Sequence, residues 1–420
     1  MISGGTIVDP VDGYFGPGAV KVVNGKIAEV IKSKNSPKGD IDATGLLVCP
    51  GLVDMHVHFR EPGFEYKETI ESGARAAAAG GFTSVACMPN TDPPLDNQEA
   101  IKFVIDKARK AVVNVYPIGT LTKGQKGQEL AEIGDMIDAG AVAFSDDGAG
   151  IQNGTIMRRA MEYCKMLDVI PISHCEYADL ADNGVINEGY ASTKLGLGGI
   201  SRVAEDLMIA REIMLAEYTG APVHLAHVST AGGVELIKNA KKKKLPVTAE
   251  TCPHYFTLHD ELLKGYSTNM KVNPPLRTRK DRTAIRRGIA AGLFDCIVTD
   301  HAPHAYDEKQ LEFDYAPPGM IGLETSVGLV STELIAKNRI TWLDAIKMMS
   351  LNQARILNIP AGTLDTGAAA DITLIDPKIQ WTVTEDAFHS LSKNSPYIGK
   401  ELTGRVARTI VAGKTVYELG

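Results

Sequence analysis

The chain has 420 residues, a net charge of −7, 44% hydrophobic and 23% charged residues, the balance of a soluble globular protein with room for one large core and a smaller one. The negative charge excludes nucleic acid or an anionic membrane surface as the main partner, and no apolar run reaches membrane-spanning length. The single basic cluster, Lys241 to Lys244, closes a helical pattern and reads as a solvated helix end. Six scattered cysteines without a Cys-x-x-Cys pair, behind an N-terminus with no secretory leader, predict reduced thiols and a cytoplasmic protein.

Residues 1–50 carry short alternating runs such as Lys26-Ile27-Ala28-Glu29-Val30, with Asn24-Gly25 as a hairpin turn. The same texture returns from residue 362 to 420, so the two ends are expected to build one small β-sandwich domain. Between them, over 51–361, short apolar strands alternate with helical stretches. Strands are predicted at 46–58, 83–88, 112–118, 141–145, 169–173, 222–226, 246–249 and 296–299. Helices are predicted at 67–80, 98–110, 127–139, 155–167, 202–219, 232–243, 279–291 and 326–337. The α/β alternation predicts a (β/α)8 TIM barrel. A doubly wound sheet is the alternative, but no Gly-x-Gly-x-x-Gly follows the first strand to hold a dinucleotide.

Barrel chemistry sits at the carboxyl ends of the strands. The first strand runs into Asp54-Met55-His56-Val57-His58-Phe59-Arg60-Glu61-Pro62-Gly63, where alternation points His56 and His58 the same way. The other ends supply Asn90, Asp146-Asp147, His174, His227, and Asp300 with His301 and His304. His224 and His227 are three apart, so only one faces inward, and His227 is nearer the strand end. Asp146 and Asp147 are adjacent, so at most one reaches the site. A place for His254 near the mouth or in the structure is left open, and His389 is expected at the surface. Four histidines and two aspartates exceed one tetrahedral zinc. They fit two cations ~3.5–4 Å apart, lowering the pKa of a bound water to roughly 7. Two dications against two aspartates and a hydroxide keep a net positive charge, which suits an anionic substrate. Hydrolysis or its reverse at a carbonyl or phosphoryl centre follows.

The segments His56 to Gly63, Met88-Pro89-Asn90-Thr91, Phe144 to Gly148 and Thr299 to His304 resemble the amidohydrolase superfamily, and within it the bacterial long-chain dihydroorotase family, over essentially the whole chain. The resemblance implies two zinc ions: His56, His58 and Asp300 on one, His174 and His227 on the other, with Asp147 bridging. It implies that Asp300 carries the proton to the leaving ring nitrogen. Arg60, Asn90 and His304 would grip a substrate carboxylate, and His58, Phe59, Asn273, Pro318 and Gly319 would line the remainder. The substrate implied is the carbamoyl aspartate/dihydroorotate pair of pyrimidine synthesis. Glu250 to Tyr255 looks like the corresponding segment of allantoinase, hydantoinase and dihydropyrimidinase, the alternative cyclic-amide readings. Many of those relatives bridge their metals with a carbamylated lysine, which 141–148 lacks. Pro318 replaces the Phe expected before Gly319. A non-catalytic scaffold is the remaining alternative. Residues 306–318 are expected as a mobile loop over the mouth. Homodimer formation and association with a pathway enzyme such as aspartate transcarbamoylase stay open.

Overall fold

A computed structural model describes residues 1–34 and 37–420; Asn35 and Ser36, inside the expected 1–50 segment, lie outside the described residues. The barrel strands are β1 (Leu52–Val57), β2 (Phe82–Cys87), β3 (Asn114–Gly119), β4 (Ala143–Ser145), β5 (Ile170–Ser173), β6 (Val223–Leu225), β7 (Val247–Thr251) and β8 (Cys296–Ile297). Each pairs in parallel with the next. The ring closes where Val57 bridges His301 in parallel and the His58 N–H donates to the His301 carbonyl at 2.9 Å. Asp54, fully buried on β1, strengthens this seam: its carboxylate accepts from the Thr299 and His56 N–H groups, and burial pushes its pKa up to about 7.

The helices form where the sequence caps them. Thr69 and Ser72 cap Ile70–Ala79 reciprocally, and Ser201 and Gly220 bracket Arg202–Thr219, the glycine at φ 60. Gly73 lets its helix lie on the Phe59 ring: a Cβ there would stand 2.5 Å from the ring carbons. Phe59, Phe82 and Phe144 are fully buried around the barrel, worth roughly 2–3 kcal/mol each.

Both chain ends enter one eight-stranded sheet. Ile372–Thr382 pairs antiparallel with Leu47–Pro50, which runs parallel beside Ile2–Asp9. Tyr14–Val23 and Lys26–Ile31 form the expected hairpin, with Asn24 at φ 51 and Gly25 at φ 75 in the turn. Ile7, Val20, Ile27, Val48, Ile372 and Ile410 build a separate apolar core beneath this sheet.

Three regions differ from the sequence expectation. Only Ile133–Ala139 of the predicted 127–139 helix is helical, because Lys123 N–H pairs with the Glu129 carbonyl and holds the earlier residues in a loop. Helical residues 342–356 pack below the barrel, where Gln353 accepts from the Met55 N–H and donates to the Ile297 carbonyl. Residues 383–400, between the last long strands of the terminal sheet, leave that sheet and reach the barrel rim, Asn394 accepting from the Ile321 N–H.

Candidate active site

At the carboxyl ends of the strands, four imidazoles surround one carboxylate. Asp147 Oδ1 lies 3.5 Å from His56 Nε2, 3.5 Å from His174 Nδ1 and 3.3 Å from His227 Nε2, while its Oδ2 lies 3.6 Å from His58 Nε2. Asp300 Oδ1 stands 3.2 Å from His58 Nε2 and 3.7 Å from His56 Nε2. These side chains come from β1 and from the ends of β4, β5, β6 and β8, brought together by barrel closure alone.

Hydrogen bonds on the outer ring nitrogens fix which atom His56 and His58 turn inward. His56 Nδ1 lies 2.6 Å from Glu250 Oε1, so Nδ1 carries the proton and Nε2 faces the cluster as a lone pair. His58 does the same through Asn90 Oδ1 at 2.8 Å. Glu250, on β7, also receives His224 Nε2 at 3.0 Å and the His227 N–H at 3.1 Å, so one buried carboxylate orients two elements. His224 accordingly faces Glu250 and Thr248, not the cluster. Asp146 turns away and accepts from the Leu121 and Thr122 N–H groups.

The donor set suits cations. Ligand atoms of His56, Asp147 and His227 lie within 4.8 Å of one another, and so do those of His56, His58 and Asp300. His56 Nε2 is buried without a hydrogen-bond partner among the described residues, a lone pair that only a proton or a Lewis acid satisfies. Burial opposes charge on Asp147 and Asp300, yet the surrounding imidazoles hold both carboxyls below the usual range. Burial likewise opposes charge on His56, but Glu250 and Asp147 raise its affinity for a proton, and the same field raises it for a metal. His254 is buried and held neutral by burial, its pKa pushed down to about 4; a ring nitrogen lies within 4.8 Å of ligand atoms of Cys252 and Asp300.

A cavity of about 160 Å³ opens above the cluster. His58, Asn90, Asp147, His174, His227 and Asp300 line its floor, and Arg60, Asn273, His304, Pro318 and Gly319 its walls. Arg60 Nε donates to the Pro303 carbonyl at 3.1 Å; burial lowers its pKa to about 10, so it stays cationic at neutral pH. His304 Nε2 lies 2.9 Å from the Pro318 carbonyl, which can only accept, so that nitrogen bears the proton. Burial and then Arg60 hold His304 neutral, well below the usual histidine range. Asn273 donates to Glu176 at 3.3 Å, and its buried Oδ1 is without a partner among the described residues. A Cβ on Gly319, at φ 141, would stand 2.9 Å from Ala302 Cβ and His304 Nε2, so this wall needs glycine. Three site residues hold positive φ without being glycine: Arg60 at 53°, His227 at 32° and Asp300 at 49°. Such backbone persists where surrounding structure over-determines it, and here it turns the strand ends toward the cavity.

Two expectations change. Phe59 is expected among the substrate residues, but its ring packs outward against Gly73 and leaves the cavity lining to its neighbours. Residues 306–318 are tied down at several points. Tyr306–Lys309 is a helical turn, Phe313 and Ala316 are buried, and Lys271 Nζ donates to the Phe313 and Asp314 carbonyls. Lys309 Nζ donates to the Pro317 and Gly319 carbonyls at 2.9 and 3.1 Å. Sequence reasoning missed Lys309, whose only local signal is a lysine in an acidic stretch. It also left Glu250 without a role, although a carboxylate at a barrel strand end is itself a signal.

The fold has close counterparts among solved structures. The L-hydantoinase from Arthrobacter aurescens superposes with a TM-score of 0.88 at 26% identity, over 100% of this chain and 96% of that one. The dihydropyrimidinase from Brevibacillus agri does so at 0.86 and 23%, over 99% and 94%, a likeness of fold alone. Barrel and site together define a metal-dependent cyclic amidohydrolase. A family model described as dihydro-orotase-like matches residues 45–232; a dihydroorotase from Pelotomaculum thermopropionicum is 55% identical over 100% of this chain and 98% of its own, and one from Acetivibrio thermocellus 52% over 99% and 98%. The chain belongs to the dihydroorotase family.

Proposed function

We propose that this protein interconverts N-carbamoyl-L-aspartate and L-dihydroorotate, using two zinc ions held by His56, His58, Asp147, His174, His227 and Asp300. The observation that carries the reading is a cation and a carboxylate cluster in one small cavity: Arg60 lines the same 160 Å³ as Asp147 and Asp300. A neutral cyclic amide gives Arg60 nothing to neutralise, whereas a ring bearing a carboxylate does.

Zinc, when bound, would polarise the amide carbonyl and make water ionisable near neutral pH. The chain's own groups do the rest. Arg60 takes the substrate carboxylate, with the Asn90 amide as a flanking donor, while neutral His304, its one proton given to the Pro318 carbonyl, shapes the wall beside them. Asn273 and the Pro318–Gly319 backbone confine the ring. In the opening direction the water oxygen bonds to the ring carbonyl carbon, the C–N bond breaks, and the nitrogen must gain a proton. Asp300, ionised by its imidazole neighbours, takes that proton from the water and returns it to nitrogen. Ring closure is the same path reversed.

On this reading residues 51–361 form the catalytic barrel, and 1–50 with 362–420 the second domain, supported by its own sheet and apolar core. Six free, buried cysteines support a cytoplasmic setting. The deciding experiment assays purified protein on dihydroorotate and allantoin side by side with metal analysis. Turnover of dihydroorotate with zinc near two per chain is expected. Opening of allantoin alone would replace the reading with the hydantoinase-like alternative, and an inert, metal-free protein would leave a scaffold.

A further inference from the structure

The geometry points to Asn394 as a positioning residue for the carboxylate end of the substrate, a role that rests on the dihydroorotate reading above. Asn394 belongs to the 383–400 segment that leaves the terminal sheet, and it is 4% exposed. Its Oδ1 accepts from the His304 N–H at 3.1 Å. Its Nδ2 donates to the Ala302 carbonyl at 3.0 Å and to the Gly319 carbonyl at 3.1 Å. Its own carbonyl accepts from the Ile321 N–H at 3.0 Å.

Two cavity walls therefore meet on one side chain. His304 follows β8, Gly319 lies fifteen positions later, and both line the cavity. The partners also dictate the chemistry. Two carbonyls demand donors and one N–H demands an acceptor, and only a primary amide offers both within one side chain of this size. The segment itself is anchored beside the first strand's loop, since Ser392 Oγ donates to the Lys67 carbonyl at 2.7 Å and the Leu391 N–H to Glu68 at 3.1 Å. A residue from the terminal sheet's own connection thus sets the spacing between His304 and Gly319 without touching substrate.

The test uses the full chain loaded with zinc, L-dihydroorotate as substrate, and metal content measured in parallel. Asn394→Asp keeps the size and the acceptor for the His304 N–H, but turns an oxygen against two carbonyls. Asn394→Ala deletes all three bonds. The expectation is a KM raised about tenfold or more in Asn394→Asp, at least as much as in Asn394→Ala, with kcat within about threefold and metal content unchanged. A mere space-filler predicts the opposite ranking, because Asp fills the volume that Ala leaves empty. That ranking, or an unmoved KM in both variants, overturns the proposal. If either variant fails to fold, Asn394→Ser decides: a raised KM at full metal content supports the role, and joint loss of kcat and metal overturns it. An inactive wild type would sink the dihydroorotate reading; an active wild type with unmoved KM in the variants sinks only the role of Asn394.

Discussion

The two sides of the cavity are built differently. The imidazole side rests on strand ends and is oriented by buried carboxylate and amide side chains, Glu250 on His56 and Asn90 on His58. The opposite side rests on loops, and its walls are held through backbone carbonyls by Lys309 and Asn394. Strand ends are stiff and suit ligands that must meet within a fraction of an ångström. Loops can be reshaped without disturbing the barrel, which suits the part that discriminates one ring from another. The hydantoinase-like neighbours share the fold, so substrate choice within it is expected to lie on the loop side.

The comparison breaks most sharply at Asp300, which faces both sides. Asp300→Asn should lower kcat about 10³-fold with the fold intact by circular dichroism, and near-normal turnover would remove it as the proton carrier. On the imidazole side, Glu250→Gln should weaken zinc affinity about 10–100-fold in competition with a chelator, with KM at saturating zinc little changed. On the loop side the pattern inverts. Arg60→Ala should raise KM about tenfold to a hundredfold at unchanged zinc content, since it removes a charged partner for the carboxylate; an unchanged KM would place the carboxylate elsewhere.

The smallest effect concerns Lys309. Burial, then Lys271, lowers its pKa from 10.5 to about 7. Between those values the unfolded chain holds a proton that the folded chain has released, so Lys309 makes stability rise as pH rises through this window. Urea unfolding at pH 6.5 and 9 should therefore show less increase in Lys309→Met than in wild type, by on the order of 1–2 kcal/mol. Equal slopes would mean that Lys309 keeps its proton when buried.

Much of the imidazole side was legible because its rules are local. Alternation along β1 aligned His56 with His58, strand ends named His174 and His227, and spacing alone eliminated His224, which indeed faces Glu250. The loop side was less legible. Phe59 sits one residue from Arg60 but turns outward onto Gly73, a direction set by helix packing and invisible in a motif. The 306–318 segment has no period, yet two buried lysines pin it through main-chain carbonyls that carry no residue identity. The predicted helix at 127–139 overran because composition does not announce that Lys123 will pair with Glu129 across a turn.

Taken alone, the amino-acid order determined the alternation that makes a barrel, the pairing of both ends in one sheet, and the residue types that gather at the strand ends. Those depend on periodicity and capping, which act over a few residues. Tertiary structure decided which atoms face one another: Glu250 meets His56 across 194 positions and Asn394 meets His304 across 90. Contacts so distant follow from how the barrel closes and where the terminal sheet's connection comes to rest, because only the packed chain can bring a donor within 3 Å of an acceptor that local preferences leave free to be anywhere.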